Sequence, residues 1–324
     1  MLLQKAARAA AITPLVLLAA CGSDDATTTG TGATGSPDPS PEAAETASTY
    51  PVAVEAANGS VTIDAQPERI VSLSPTATET LFAVGAGDQV VAVDEQSDHP
   101  AEAPTTDLSG FEPNVEAIAE YEPDLVLAEG TGPDELTDGL DRLEIPVIVQ
   151  SAATDLDEAY QQIEDIGAAT GHADEAEDVV ADMRDRIAKV VADLPDGPPL
   201  SVFHELGPDL YTASSDTFIG QVYSELGLVN VADEAAEEAG TPYPQVSAEY
   251  LLSADPDLVI LADNECCGVT PEQVAERPGW DALSAVQNGN VTVVDEDIAS
   301  RWGPRVPELF EAISDVISST RGTG

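Results

Sequence analysis

The chain has 324 residues, of which 61 are acidic and 11 basic, for a formal charge of −50. So acidic a surface repels nucleic acid and anionic lipid headgroups, which excludes a nucleic-acid role and any membrane attachment through charge. The length exceeds the needs of one small core and predicts two lobes of ordinary domain size. Only Lys5 and Lys189 are lysines, a pattern that suits either a saline habitat or an ordinary solubility device.

In chain order, residues 1–20 read as a signal peptide. Lys5 and Arg8 precede an apolar run over 9–20, broken by Thr13 and Pro14, and no acid occurs there. The run is shorter than the roughly 20 residues that cross a bilayer as a helix. It ends in Leu18-Ala19-Ala20-Cys21-Gly22, which resembles the lipobox of bacterial lipoproteins. The resemblance implies that Cys21 is lipidated and becomes the mature N-terminus, its diacylglyceryl group supplying the two acyl chains that anchor durably where one holds a membrane only marginally; otherwise it is an incidental cysteine in a cleaved secretory peptide. Residues 21–60 are rich in Gly, Ser, Thr, Ala, Pro and acid, too poor in large apolar side chains to offset ordering entropy, and predict a disordered tether.

From Val61 onward, short β-branched runs alternate with helical patterns, the mark of an α/β fold with parallel sheets. Strands are predicted over 69–72, 90–93, 125–128 and 147–150, then over 200–203, 258–262 and 291–294, with a closing helix near 307–318. The two sets repeat one another. Ala119-Glu120-Tyr121 followed by Pro123-Asp124-Leu125-Val126-Leu127-Ala128 parallels Ala248-Glu249-Tyr250 followed by Pro256-Asp257-Leu258-Val259-Ile260-Leu261-Ala262. Between the sets, residues 172–194 lack Pro and Gly and place Val179, Val180, Met183, Ile187, Val190 and Val191 at helical spacing. The expected organisation is an N-terminal lobe over 61–170, a connecting helix over 171–195 and a C-terminal lobe over 196–324. That helix acts as a spine, or packs as a crossover.

The stretch Pro67-Glu68-Arg69-Ile70-Val71-Ser72-Leu73-Ser74-Pro75-Thr76-Ala77-Thr78-Glu79-Thr80-Leu81-Phe82, then Gly85-Ala86-Gly87 and Asp98-His99-Pro100, begins an ordered series of motifs. Pro278-Gly279-Trp280 and Arg301-Trp302-Gly303-Pro304-Arg305 complete it. In this order the chain resembles the helical-backbone (class III) substrate-binding proteins of ABC importers for vitamin B12 and ferric siderophores, over nearly all of 61–317. The resemblance implies two α/β lobes joined by a helix, with a metal chelate held in the cleft between them. It also implies delivery to an ABC permease and its ATPase, and no resident cofactor.

Open parallel sheets bind ligands beyond the carboxyl ends of their strands, so loops there supply the candidate ligand-binding residues. In the first lobe they are Ser74, expected to cap a helix from about Thr76, then Ser97, Asp98, His99, Phe111 and Glu112. In the second lobe they are His204, Glu205, Tyr211, Ser214, Ser215, Tyr243, Asp263, Asn264, Arg301 and Trp302. Flat aromatic faces suit a macrocycle or catecholate ring, or else pack the core. Arg301 would meet an anionic group on the chelate, or pair with the acidic surface. His204 with Glu205 would offer a metal donor, or ordinary hydrogen bonds. Adjacent Cys266 and Cys267 are expected to form a disulfide between neighbours, stiffening the loop after strand 258–262.

The resemblance further implies one docking glutamate per lobe. Glu79 fits the first, whereas the matching place in the second is Gln221, with Glu225 the nearest acid on that helix. Two rival readings remain at this level. Capture of bare zinc or manganese would ask for about four donors, usually rich in histidine, and only His99, His172 and His204 occur. A secreted enzyme would carry a catalytic motif, and G-x-S-x-G, H-E-x-x-H and Walker-type loops do not occur.

Overall fold

This computed structural model describes residues 50–130 and 134–322; the predicted signal peptide and Cys21 lie outside them. The described chain begins with strands β1 (Val52–Ala56) and β2 (Gly59–Ile63), which form an antiparallel hairpin with Val52 opposite Ile63. Regular structure therefore starts inside the stretch 21–60 predicted as tether. The hairpin holds because Val54 and Ile63 are buried and Ala57 N donates to Val149 O at 2.8 Å, tying it to the first lobe.

The first lobe continues with β3 (Ile70–Leu73), α1 (Pro75–Ala83), β4 (Val90–Val93), α2 (Val115–Ala119), β5 (Leu125–Glu129), α3 (Asp134–Asp141) and β6 (Val147–Gln150). Its four strands are parallel in the order β4-β3-β5-β6. The central strands Ile70–Leu73 and Leu125–Glu129 read as apolar runs rather than alternating patterns because helices cover both faces of the sheet.

Two helices leave this lobe, α4 (Leu156–Thr170) and α5 (Ala173–Asp193). The second lobe contains β7 (Ser201–Glu205), α6 (Phe218–Glu225), β8 (Val229–Asn230), α7 (Asp233–Ala239), α8 (Ala248–Ala254) and β9 (Leu258–Leu261). It ends with α9 (Asn264–Cys267), α10 (Pro271–Ala275), α11 (Ser284–Asn288), β10 (Val291–Val293), α12 (Glu296–Ser300) and α13 (Val306–Gly322). Its parallel sheet runs β8-β7-β9-β10. Taken from the first strand of each lobe, both sheets have the order second, first, third, fourth, so the sequence repeat is a repeat of topology.

One side chain does the same task in both copies. Asp124, ahead of β5, accepts from Glu68 N and Arg69 N at 2.8 and 2.9 Å, just before β3. Asp257, ahead of β9, accepts from Ser201 N and Ser201 Oγ at 2.8 Å, at the start of β7. Each Pro-Asp turn thus pins the two central strands of its sheet at their amino ends.

Helix α5 buries Val180, Met183 and Ile187 and packs on α4 and α13. Asp174 and Glu175 occupy its first turn, but its last turn has no base: Arg184 instead lies over the Tyr160 ring at 4.1 Å, and Arg186 pairs with Glu311 of α13 at 3.0 Å. Around α5 a single apolar cluster extends through both lobes, including Leu81 of α1, Tyr160 of α4, Tyr223 of α6 and Phe310 of α13. The opposite faces of the two sheets have separate clusters, one holding Val126 and Leu140, the other Phe203 and Trp280. Among the described residues no helix is long and apolar enough to cross a membrane.

Candidate functional site: the cleft between the lobes

The carboxyl ends of β3, β4 and β5 open onto a cavity of about 420 Å³ closed on the other side by α12 of the second lobe. Ser74 caps α1, accepting from Ala77 N at 3.2 Å, and its hydroxyl donates to Glu129 Oε2 at 2.7 Å. The cap therefore also positions an acid at the cavity wall. Asp94 follows β4 and accepts from Ser97 Oγ. Ser97 Oγ is also bonded to Thr78 Oγ1 at 2.9 Å, and Thr78 Oγ1 donates to Ser72 Oγ at 2.9 Å, so a buried chain of hydroxyls fixes the Asp94 loop to α1. Burial raises the carboxyl pKa of both Asp94 and Glu129 above the ordinary value. Gly110 lies against these strand ends, where a Cβ would come within 2.8 Å of Asp94 Oδ2 and Leu73 O. Next to it Phe111 lines the cavity with its ring 84% exposed.

Arg301 lines the same cavity from the second lobe and is buried. Helix α12, capped by Asp295 through Ile298 N at 3.0 Å, delivers it to four acceptors. Arg301 donates to Glu79 Oε1 at 2.7 Å, Asp297 Oδ1 at 2.6 Å, Asp98 Oδ1 at 3.3 Å and Gln96 O at 3.1 Å. Arg305 donates to both Glu79 oxygens, at 2.9 and 2.6 Å. Glu79 comes from α1, so two guanidiniums of one lobe clasp one carboxylate of the other. This corrects the docking role expected of Glu79 and, of the two readings of Arg301, selects pairing with acids. Glu79 is buried with its charge already met, which does not leave it free for docking, and Arg301 is committed to protein acceptors rather than open to an anion.

A model of the family described as periplasmic binding protein matches residues 70–298. The chain belongs to the periplasmic binding protein family. It is 32% identical over 278 residues to an uncharacterized ABC transporter substrate-binding lipoprotein of Bacillus subtilis, covering 83% of this chain and 86% of the relative. It is 32% identical over 291 residues to a cobalamin-binding protein of Halobacterium salinarum, covering 86% and 77%. Among solved structures, a periplasmic solute-binding protein of Staphylococcus epidermidis superimposes with a TM-score of 0.68 at 28% identity, covering 78% of this chain and 99% of that one. The periplasmic vitamin B12 binding protein of Vibrio cholerae gives 0.64 at 27% identity, covering 79% and 98%.

Elsewhere in this periplasmic binding protein the candidate residues divide between cleft loops and core. Asp98 and His99 are exposed, His99 preceding the cis-proline Pro100, and Glu112 is exposed beside Phe111. Tyr211 and Tyr243 are 49% and 46% exposed, on segments beyond the carboxyl end of β7 that are joined by a bridge between Tyr211 and Gln245. Ser214 is buried, and Ser215 donates through N and Oγ to Asp233 at 2.8 and 2.9 Å. Trp302 is buried with Nε1 donating to Gln162 Oε1 at 2.8 Å, a second link between lobes. Of these residues Phe111 alone lines the 420 Å³ cavity; Asp98, His99, Glu112, Tyr211, Tyr243, Ser214, Ser215 and Trp302 do not.

His204 turns into the core beneath α6, Nδ1 bonded to Tyr223 OH at 2.6 Å and Nε2 without a partner. Burial lowers its pKa to about 4, so it is a neutral core group and does not reach the cavity as a metal donor. Glu205 is fully buried and holds Arg277 in a two-bond pair at 2.7 and 2.6 Å; Arg277 in turn lies over the Trp280 ring at 4.6 Å. Both oxygens of the neighbouring Asp263 are buried without partners, and burial together with the Glu205 carboxylate pushes its pKa up to about 7. Asn264 Nδ2 donates to Val269 O at 2.8 Å, closing the loop that carries the Cys266–Cys267 disulfide. Gln221 donates to Ser215 O at 2.7 Å, whereas Glu225 is exposed, and both line a groove between α4, α5 and α6.

Sequence reasoning missed Asp94, Glu129, Asp297 and Arg305. Asp94 and Glu129 stand directly after the predicted strands 90–93 and 125–128, so the strand-end rule itself was the available signal.

Proposed function

We propose that this periplasmic binding protein is an extracytoplasmic lipoprotein, anchored through Cys21, that captures a metal chelate and passes it to an ABC permease and its ATPase. The observation that carries this reading is the cavity between the lobes, with an exposed Phe111 ring on its wall and acceptor oxygens around it. That combination suits a large ligand with a flat apolar face and polar edges. A corrinoid is the first candidate, because relatives at 30–32% identity are named cobalamin-binding or vitamin B12-binding; a ferric siderophore is the second. For capture of a bare ion the protein itself would have to supply the ligand set, and among the described residues no three His, Cys, Asp or Glu side chains stand together to hold one.

Anchoring is supported by the small-residue run before Cys21 and by the lipoprotein name of the Bacillus subtilis relative. Docking is assigned to Glu225, since Gln221 is uncharged and Glu79 is engaged within the protein. The test is titration of the purified protein with cyanocobalamin, a ferric trihydroxamate and a ferric tricatecholate, followed by quenching of Trp280 and Trp302 and by calorimetry. Saturable one-to-one binding of at least one chelate is expected. Failure of all three to bind at micromolar concentration would sink the assignment.

A further inference from the structure

The cavity wall specifies the charge of what enters it. Its ionisable lining consists of Asp94, Glu129 and Asp297 with Arg301 as the one base among the described residues there. Arg301 already donates to Glu79, Asp297, Asp98 and Gln96 O, and Arg305 is turned onto Glu79. An anionic ligand would find no uncommitted cation in the wall. To recruit Arg301 it would have to break buried pairs, leaving Glu79 with part of its charge uncompensated in an apolar setting, which is costly. The wall does offer acceptor oxygens at the strand ends and an exposed phenyl face. Burial raises the carboxyl pKa of Asp94, Glu129 and Asp297, and in neither protonation state does a carboxyl supply positive charge.

Resting on the chelate-binding reading, we infer that the site selects neutral or cationic chelates rich in hydrogen-bond donors, such as amide-bearing corrinoids or cationic ferric hydroxamates, and rejects anionic ones of the same size. Asp94 and Glu129 are the specificity-determining residues. Amide N–H, hydroxyl or ammonium groups on the ligand rim would donate to them, while carboxylates or catecholates would face them as like charges.

The test uses pairs of ligands matched in shape. Cyanocobalamin is compared with its monocarboxylate, in which one peripheral amide is hydrolysed, and a cationic ferric trihydroxamate with its succinylated, anionic form. In the unaltered protein the anionic member of whichever pair binds is expected to be weaker by about tenfold or more, a gap that narrows as salt is raised. Asp94→Asn and Glu129→Gln should each narrow the gap at low salt, whereas Glu177→Gln, on the exposed side of α5, should leave it unchanged. Should one of the two wall variants fail to fold, the other still decides against Glu177→Gln. Equal or tighter binding of the anionic members would overturn the charge inference and leave chelate binding standing. A gap that Glu177→Gln closes as well as Glu129→Gln does would also overturn it, because the overall charge of the molecule, not the cavity wall, would then be the selector. Absence of binding by both pairs, with a folded protein, would bring down the functional reading and this inference together.

Discussion

His204 carries a consequence of burial that can be read in solution. Its imidazole has one partner, Tyr223 OH, and its Nε2 has none, so taking up a proton in the folded state means charging a group buried away from bulk solvent. Its pKa falls from 6.5 to about 4 on folding. Between those values the unfolded chain binds a proton that the folded one refuses, so stability is full above pH 6.5 and is lost as pH falls toward 4, by about 3 kcal/mol in all. Urea unfolding at pH 7 and pH 4.5 isolates this contribution by difference: acidification should be less unfavourable to His204→Phe than to the unaltered protein, and equal changes in the two would mean that His204 does not titrate as its burial demands. Asp263 has the opposite sign. Burial and Glu205 raise it from 3.8 to about 7, so the folded state keeps a proton the unfolded chain has released, and the associated stability declines as pH rises through 7. Asp263→Asn should therefore raise the melting temperature at pH 8 and change it little at pH 4.

At the scale of elements, the repeated Pro-Asp turn shows what the sequence made legible and what it did not. The turn and the strand after it were visible as a repeat, because Pro fixes the backbone and a buried parallel strand reads as an apolar run. The task of Asp124 and Asp257 was not visible, since their partners lie 55 or 56 residues earlier in the chain. Strand β8 and the hairpin β1–β2 escaped for a related reason: Val229–Asn230 is too short to show a pattern, and β2 opens on Gly59 and Ser60, which leaves only three strand-forming residues. Asp257 accepts from Ser201 N and Oγ, and Asp257→Ala should cost about 2 kcal/mol by stranding them, read as a lower urea midpoint with unchanged slope. A close approach of helices makes a sharper case. A Cβ on Gly167 of α4 would lie 2.3 Å from Ala176 Cβ and 2.8 Å from His172 O, so Gly167→Ala must push α4 from α5 and should destabilise by about 1–3 kcal/mol. A neutral outcome would show that the α4–α5 joint yields.

For the whole molecule the question is whether two lobes behave as two domains. The sequence pointed to two similar halves, and the repeated sheet topology bears that out, but it could not show how the halves are fastened. Glu79 is separated from Arg301 and from Arg305 by more than 220 residues, and each alone reads as surface charge in so acidic a chain. Besides the Trp302–Gln162 hydrogen bond, two larger features join the lobes: the clasp on Glu79, and one apolar cluster running from α1 through α4 and α5 to α6 and α13. They make different predictions. Glu79→Gln removes the carboxylate that buried Arg301 and half-buried Arg305 share, and breaking a buried pair costs about 3–5 kcal/mol, so melting temperature should fall clearly. The transition should nevertheless stay single in calorimetry, with calorimetric and van't Hoff enthalpies equal, because the shared core still couples the lobes when the clasp is gone. If the variant instead melted in two steps, the cohesion of the halves would lie in the charge clasp, and the apolar cluster around α5 would be two cores that merely touch.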